Sequence, residues 1–240
     1  MPDAESGRRI NLGCGRRWLE DWDNVDEGLW AKRLWLRAIG LIRRIRPLER
    51  VLPRKLRQYP RDVIVWDLRK TPLPFGDGTA EVVFSQYVLE YLTVEDTQRL
   101  LRDCRRILRR GGIIRLCQTD IGLGIQQYLA EGDMTPSPAA LARTRDFHER
   151  LNGEHTKLSV RLLHGGGHQQ LFDAPSLRWL LLEAGFEDVR IVAKGEGRCP
   201  SLDRLEADFA PVPMIRMEAA VPTQAPRGPR RLHGDISEGW

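Results

Sequence analysis

Hydrophobic and polar positions along the chain predict strands and helices that follow one another. Asp62–Asp67 and Glu81–Ser85 are continuous apolar runs, which are typical of strands buried on both faces of a parallel sheet. Shorter patterns predict a strand at Arg8–Leu12 and another ending at Asn24-Val25-Asp26. The remaining predicted strands lie at 112–117, 186–193 and 214–221.

Two helices separate the later strands. Thr93 to Asp96 loosely matches a capping box, and the helix that follows has apolar positions up to Leu108 and is expected to end at Gly111-Gly112. Asp173 is expected to cap a second helix, with Pro175 in its first turn and Gly185 at its end. Strands alternating with helices predict an α/β fold, a Rossmann-like, doubly wound, mostly parallel seven-stranded sheet with helices on both faces. Such sheets bind ligands beyond the carboxyl ends of their strands.

The length of 240 residues suits one domain with additions, which we assign to 1–222. Residues 119–165 are poorly patterned and are expected to form a loop region with short helices on the side of the substrate. Residues 223–240 are rich in Pro, Gly and Arg, lack apolar periodicity and are expected to be disordered.

The net charge of +5 is concentrated in one segment. Residues 29–60 contain ten Lys or Arg and one acid, Glu49, and therefore carry +9, which leaves 5 − 9 = −4 for the rest. On a helical wheel, the Trp, Leu and Ile side chains of 30–45 fill one half, apart from Leu36, and basic side chains fill the other. This basic amphipathic insertion is interpreted as a lid on the domain, as a membrane-surface contact through 29–58, or as a site for a polyanion such as nucleic acid, the least favoured of the three.

The cysteines and histidines argue against disulfide and metal chemistry. The four cysteines are scattered and form no C-x-x-C pair, and the start of the chain has no apolar run, so we expect a cytoplasmic protein, with membrane-peripheral placement at the inner face if the insertion binds lipid. His164 and His168 are four residues apart, but the three glycines between them disfavour a helical zinc site. No metal is expected.

A glycine turn follows the first strand, in Asn11-Leu12-Gly13-Cys14-Gly15. Glycines allow a sharp turn and close approach of a ligand to the backbone. The dinucleotide fingerprint needs a third glycine where Trp18 stands, and its acid lies about twenty residues on, whereas Asp26 comes eleven after Gly15. NAD is therefore disfavoured.

The order of motifs resembles a known family. The glycine turn, Asn24-Val25-Asp26, the stretch from Asp67 to Gly78, the run Ser85–Leu92, the helix leading to Gly111-Gly112 and Glu183–Phe186 are together similar to class I S-adenosylmethionine-dependent methyltransferases. The similarity is to the type 11 kind found among glycan-biosynthesis genes, and it covers roughly 8–28 and 61–221.

The resemblance implies a cofactor, S-adenosylmethionine, and roles for particular residues. Gly13 and Gly15, with the neighbouring Asn11 and Cys14, would line its methionine part, and Asp26 would accept hydrogen bonds from the ribose. Asp67 would bind the adenine amine, with Leu68 on the ring, and Gln86 and Tyr87 would lie beside the methyl group. The alternative for Asp26 and Asp67 is helix or turn capping.

The sequence departs from the family pattern at three places. Asn11 replaces the usual acid, Gln86-Tyr87 stands where Ser-His is typical, and Tyr91 stands where His is typical, so any base that those histidines supply is absent. His168, shortly before Phe172-Asp173, is our first candidate for a base or substrate ligand, and Asp120 is the second. The alternative for His168 is a hydrogen bond to the loop backbone.

The sequence therefore predicts a methyltransferase that methylates an oxygen or nitrogen of a saccharide or small metabolite. Two alternatives stay open: a non-catalytic module that binds S-adenosylmethionine or S-adenosylhomocysteine, and a membrane-associated scaffold that uses 29–58.

Overall fold

The computed structural model of the chain describes residues 7–15, 17–26, 63–130, 142, 147, 168–206 and 213–224. The basic insertion at 29–60, most of the segment predicted as a loop region and all but the first two residues of the predicted tail lie outside these residues. The strands are β1 (Arg8–Leu12), β2 (Asp23–Asp26), β3 (Ile64–Val65), β4 (Ala80–Gln86), β5 (Leu108–Thr119), β6 (Glu187–Ile191) and β7 (Met214–Ala220). The helices are α1 (Val94–Ile107), α2 (Ile121–Ala130), α3 (Ala174–Glu183) and α4 (Leu202–Leu205), with a 3₁₀ turn at Leu89–Tyr91.

The strands form one seven-stranded sheet in the order β3-β2-β1-β4-β5-β7-β6. The first five strands in this order run parallel, whereas β7 is antiparallel to both β5 and β6. The predicted fold class is confirmed, with an antiparallel part that local patterning did not indicate. The carboxyl ends of β1, β2, β4 and β5 meet at one edge, which we call the carboxyl edge.

The run 62–67 was predicted to be a strand buried on both faces, and this was wrong. Only Ile64 and Val65 form a strand, both are half-buried, and β3 is the outermost strand of the sheet. The apolar composition is explained instead by packing of Ile64 and Trp66 against the core of one face.

The helix caps follow the sequence closely. Thr93 accepts a hydrogen bond from the Asp96 backbone N–H at 3.1 Å, as its capping position predicts. Asp173 and Ser176 cap α3 reciprocally. The first helix ends at Ile107 rather than at Gly111, because Leu108 already pairs with Ala80 of β4.

Both faces of the sheet are covered. The larger core, under α1 and α3, contains Ile10, Leu12, Val83, Leu100, Leu101, Ile114, Leu116, Leu177 and Leu181. The smaller core, on the opposite face, contains Leu19, Trp22, Val82, Phe84, Ile113, Cys117, Cys199, Leu202 and Leu205.

A buried ion network fixes the connection from β6 to β7 beside the smaller core. Arg115 of β5 is fully buried, donates from Nε to Glu206 at 2.9 Å and also donates from Nη2 to the same carboxylate. Its guanidinium also donates to two carbonyls of the 193–206 segment. Glu218 accepts from the Arg198 backbone and side chain, and its Oε2 lies 4.0 Å from Arg115 Nη1. Since these charges are buried, their mutual pairing is what keeps the segment in place.

Candidate active site

The glycine turn at the end of β1 is joined directly to the end of β2. The Gly13 and Cys14 backbone N–H groups donate to the Val25 carbonyl, at 2.8 and 3.1 Å. The Gly15 N–H donates to Asp26 Oδ2 at 2.8 Å. Asp26 therefore lies at the carboxyl edge, and its carboxylate holds the turn in which the cofactor glycines were predicted.

The two glycines occupy different surroundings. Both have positive φ, +67° for Gly13 and +50° for Gly15. A Cβ on Gly13 would lie 2.1 Å from Val88 Cγ2, so this glycine is required for packing against the residue before the 3₁₀ turn. At Gly15 the nearest described atom to such a Cβ, apart from the residues on either side in the chain, is the Gly13 oxygen, at 4.0 Å. The described residues thus leave space beside Gly15 that a ligand can use.

Asn11 faces the loop that follows the turn. Its side chain is buried and donates to the Arg17 carbonyl at 2.6 Å and to Asn24 Oδ1 at 3.2 Å. Asn24 in turn bonds the backbone of Leu19 and Trp22. Asn11 therefore fixes the loop through a neutral amide network, and its contact with a cofactor stays a prediction, as does that of the buried Cys14.

Asp67 adopts the turn conformation that was weighed as the alternative to adenine binding. Its Oδ1 accepts from the Arg69 backbone N–H at 3.0 Å and from Arg69 Nε at 2.9 Å. Burial opposes ionisation of this carboxyl, but the hydrogen bonds from Arg69 outweigh burial, and the pKa of Asp67 lies below its ordinary value. Leu68 is buried in the larger core. The contacts of both residues with adenine stay predictions.

Gln86 and Tyr87 lie at the carboxyl edge, where β4 ends. Gln86 Nε2 approaches Met214 Sδ of β7 at 3.9 Å, and the Tyr87 N–H donates to the Cys117 carbonyl of β5 at 2.9 Å. Tyr87 has φ +54°, a left-handed conformation that is costly for a tyrosine and that recurs at functional sites. The predicted position of both residues at this edge is confirmed, and their roles toward the methyl group stay predictions.

His168 is held against a buried carboxylate that the sequence analysis missed. His168 Nε2 lies 3.1 Å from Glu90 Oε2, with 8% of the histidine side chain and none of the Glu90 side chain exposed. The other carboxylate oxygen accepts from the Thr119 backbone N–H at 2.5 Å. The signal in the sequence was a glutamate inside the apolar run Val88-Leu89-Glu90-Tyr91-Leu92.

Tyr91 packs its ring edge-on against His168, with the ring centroids 5.1 Å apart. Burial, and next to it the Glu90 carboxylate, raises the pKa of Tyr91 well above its ordinary 10.0. The phenol is therefore protonated at neutral pH. This residue positions the imidazole and does not replace the missing histidine as a base.

Asp120 begins α2. Its Oδ1 accepts from the Leu123 N–H at 3.0 Å, and its backbone pairs with Phe172 as a short parallel bridge. The side chain therefore acts as a helix N-cap. The same bridge brings the segment from His168 to Asp173 next to the end of β5.

The carboxyl edge also contains buried polar atoms that the described residues leave without a hydrogen-bond partner. They include the Ser85 hydroxyl at the end of β4, both amide atoms of Gln118 at the end of β5, and Glu90 Oε2, which lies 3.1 Å from His168 Nε2 without forming a hydrogen bond. Buried polar atoms are nearly always bonded, so this edge has hydrogen-bonding capacity for a ligand. Together with the space at Gly15 and the carboxylate of Asp26, the residues present fit a polar cofactor such as S-adenosylmethionine.

Clusters of metal ligands and membrane-spanning helices are absent from the part of the chain that the structure describes. It contains no group of three or more His, Cys, Asp or Glu side chains placed to hold a metal ion. It also contains no helix that is both long and apolar enough to span a membrane.

Comparison with known proteins gives one family match and several distant structural similarities. Residues 29–116 match a family model described as a methyltransferase domain. No curated protein matches the chain.

The fold is similar to that of the methyltransferase in a complex with the Haloferax volcanii Trm112 methyltransferase activator. The two chains have 14% sequence identity and a TM-score of 0.47, and the similarity covers 92% of this chain and 85% of the other. A Mesorhizobium loti S-adenosylmethionine-dependent methyltransferase has 19% sequence identity and a TM-score of 0.46, and the similarity covers 92% of this chain and 93% of the other. Phosphoethanolamine N-methyltransferase 2 of Haemonchus contortus, bound to S-adenosylmethionine, has 15% sequence identity and a TM-score of 0.44. The similarity covers 92% of this chain but only 50% of the length of that protein. Similarities this distant say nothing about the acceptor.

The family match continues from the basic insertion through β3, β4 and α1 into β5, and so covers the centre of the sheet. The glycine turn and Asp26 precede the matched residues and lie at the same carboxyl edge. A methyltransferase-domain match over residues 29–116, on a seven-stranded sheet of this order, supports S-adenosylmethionine-dependent methyl transfer as the activity.

Proposed function

We propose that this methyltransferase methylates an oxygen or nitrogen atom of a saccharide or other small metabolite, with His168 as the base on the acceptor side. The observation that carries the proposal is the His168–Glu90 contact of 3.1 Å, buried at the carboxyl edge beside Gln86 and Tyr87. A hydroxyl acceptor must lose a proton during methylation, and an imidazole is the side chain best suited to take it near neutral pH.

The cofactor side of the site is assigned to residues at the ends of β1, β2 and β4. Gly15 gives the space, Asp26 gives a carboxylate suited to a pair of ribose hydroxyls, and Gln86 and Tyr87 flank the position of the reacting group. When bound there, S-adenosylmethionine supplies a methyl group activated by its positive sulfur. The contribution of the chain is to orient the acceptor, since displacement reactions are accelerated mainly by proximity and alignment.

Asp120 is the weaker candidate for the base. Its carboxylate accepts from the first turn of α2, which gives it a structural role, whereas the imidazole of His168 is the group better suited to take a proton near neutral pH. We therefore propose that His168 takes the proton of the acceptor and that Asp120 caps the start of α2.

Calorimetric titration with S-adenosylmethionine and S-adenosylhomocysteine tests the cofactor side. Asp26→Asn keeps an oxygen for the Gly15 N–H but removes the charge, and we expect it to weaken binding by about 10- to 100-fold, as for loss of a hydrogen bond to a charged group. Asp21→Asn is the matched control, because it removes the same charge from an exposed side chain that contacts Arg9 and Arg204.

The outcomes separate the alternatives. Equal affinities of the wild type and Asp26→Asn would contradict the assignment of Asp26. Cofactor binding without methyl transfer to any saccharide or metabolite in an acceptor screen would favour a binding module. If the wild type binds neither S-adenosylmethionine nor S-adenosylhomocysteine, the proposal is wrong and a membrane-associated scaffold is favoured.

Residues 29–58 lie outside the described residues, and their roles as a lid or a peripheral membrane contact are proposals on the sequence alone. A lipid-linked saccharide as acceptor would unite the two roles. Deleting 29–58 and measuring both liposome binding and activity tests this, and unchanged values for both would remove it.

A further inference from the structure

Two buried side chains at the carboxyl edge carry polar atoms that have no hydrogen-bond partner in the described part of the chain. Gln118 is completely buried, yet neither its amide oxygen nor its amide nitrogen is bonded. Ser85 is only 1% exposed, and its hydroxyl is likewise without a partner. Buried polar groups without partners lower stability and are rare in folded proteins, so these atoms indicate either a site for a polar ligand or a bound water.

Both side chains lie on the same face of the sheet. Side chains alternate between the two faces along a strand, and Val83 and Leu116 belong to the larger core. Ser85 and Gln118, each two residues further on, therefore point to that face as well. Ser85 is paired with Leu116 in the register of β4 and β5, so Gln118 lies one step closer to the carboxyl end than Ser85 does. The two side chains form a diagonal pair on neighbouring strands.

A carboxylate oxygen without a hydrogen-bond partner lies next to this pair. Glu90 Oε1 accepts from the N–H of the peptide bond that joins Gln118 to Thr119, at 2.5 Å. Glu90 Oε2 is buried and forms no hydrogen bond, although His168 Nε2 lies 3.1 Å away. We call Ser85, Gln118 and Glu90 the buried polar cluster. Its members come from the end of β4, the end of β5 and the 3₁₀ turn.

The unpartnered atoms of this cluster define the chemistry of a matching ligand. Glu90 Oε2 and the Gln118 oxygen need donors, the Gln118 NH₂ needs an acceptor, and the Ser85 hydroxyl can be either. A phosphate or carboxylate group would leave the two oxygens unpaired and would be repelled by Glu90. An ammonium group would leave the Gln118 NH₂ without an acceptor. Hydroxyl groups both donate and accept, and two of them can supply a partner to each of these atoms.

We infer that the buried polar cluster binds hydroxyl groups of a neutral, polyhydroxylated acceptor, and that Gln118 selects for them. The inference deepens the proposed function and rests on it, because it narrows the acceptor of the same site to a neutral saccharide or polyol. Gln118 is on β5, and β4 lies between this strand and β1, whose glycine turn is assigned to the cofactor. The cluster therefore belongs to the acceptor side. Because its atoms are buried, an acceptor reaches them only through local opening of the carboxyl edge.

Gln118→Met tests the cluster without knowledge of the acceptor. Methionine is similar to glutamine in shape but has no amide, so the substitution removes two unpartnered polar atoms from the interior. We expect the urea midpoint of the full chain, measured without ligands, to be at least as high as that of the wild type. Gln127→Met, at an exposed position of α2, is the matched control and should leave the midpoint unchanged. A fall of the midpoint in Gln118→Met alone would mean that a bound water satisfies the amide, and would overturn the inference.

Transfer of labelled methyl groups from S-adenosylmethionine identifies the class of acceptor. The probes are methyl glycosides of hexoses and pentoses, with uronic acids as the anionic series and amino sugars as the cationic series. We expect transfer to the neutral glycosides, and in Gln118→Met a fall in kcat/KM of about 10- to 100-fold, mainly through KM. Ser85→Ala should act in the same direction and decides the matter if Gln118→Met fails to fold. Gln127→Met should retain wild-type kinetics.

The outcomes distinguish failure of this inference from failure of the proposed function. Preferential transfer to uronic acids or amino sugars, or wild-type kinetics of Gln118→Met on a neutral glycoside, would overturn the inference while leaving the methyltransferase in place. A wild type that binds S-adenosylmethionine but methylates no neutral glycoside would also overturn it. Calorimetric titration should give equal cofactor affinities for the wild type and Gln118→Met, and a wild type that binds no cofactor would reject the proposed function itself.

Discussion

Gly13 and Gly15 stand two residues apart in the same turn, and alanine at each should damage a different property. A Cβ at Gly13 would overlap Val88 Cγ2, at 2.1 Å, on the face of the sheet covered by α1. A Cβ at Gly15 would enter space in which the nearest described atom outside the adjacent residues of the chain is 4.0 Å away. We therefore expect Gly13→Ala to lower stability and Gly15→Ala to lower cofactor affinity.

The magnitudes follow from these two surroundings. Both residues have positive φ, and placing an alanine in this conformation costs about 1–2 kcal/mol. Gly13→Ala adds an overpacking cost of about 1–3 kcal/mol, because Val88 and the 3₁₀ turn behind it must shift. The free energy of unfolding should therefore fall by about 2–5 kcal/mol for Gly13→Ala and by only about 1–2 kcal/mol for Gly15→Ala.

Urea unfolding and calorimetric titration with S-adenosylmethionine measure the two effects separately. Adding Val88→Ala to Gly13→Ala removes the atom that clashes, so the double variant should lose less stability than the sum of the two single variants. Equal losses of stability for Gly13→Ala and Gly15→Ala would refute the packing role of Gly13. Unchanged affinity in a folded Gly15→Ala would refute the placement of the cofactor beside this residue.

Two further predictions concern the buried charges and thiols of the opposite face. Arg115→Met leaves the buried Glu206 carboxylate with less charge compensation and should lower the free energy of unfolding, measured in urea, by about 3–5 kcal/mol. Arg110→Met, at an exposed position of the same strand, is the control and should change this free energy little. A loss in Arg115→Met similar to that of the control would contradict the role of the network. Burial, and next to it the Glu206 carboxylate, raises the pKa of Cys117 to about 12 from 9.0. The folded chain thus keeps a proton that the unfolded chain loses, so stability should fall as the pH rises from 9 toward 12, with a weaker slope in Cys117→Ala; equal slopes in urea unfolding across this range would contradict it.

The elements that short sequence patterns determine were predictable, and the arrangement of the sheet was only partly so. Thr93 and Asp173 cap their helices through hydrogen bonds that span three residues, which a reader of the sequence can anticipate. The edge position of β3 and the antiparallel direction of β7 depend on which strands are neighbours. An apolar run such as Ile64-Val65-Trp66 has the same composition whether it forms a central strand buried on both faces of the sheet or an outermost strand that packs against the core on one face.

The two sides of the active site also differed in how far the sequence could predict them, and the reason is again the distance along the chain between the residues in contact. The contact between Gly15 and Asp26 spans eleven residues and joins two consecutive strands, so the glycine turn and its position beside Asp26 could be predicted from spacing and glycines. Glu90 could not be assigned, because an acid in an apolar run is indistinguishable from a solvent-facing one until its partners are known. Those partners are Thr119, 29 residues further on, and His168, beyond α2.

This difference has a consequence for how acceptor specificity is encoded. The cofactor side depends on β1, β2 and the turn between them, which hold each other through backbone bonds and the Asn11–Asn24 amide pair. The acceptor side depends on Glu90 joining the 3₁₀ turn, the end of β5 and the segment before α3. Substitutions in the 168–173 segment can therefore change what approaches His168 without disturbing the glycine turn. For this reason we place the determinants of the acceptor in the segments that surround Glu90, and those of the cofactor in residues 11–26.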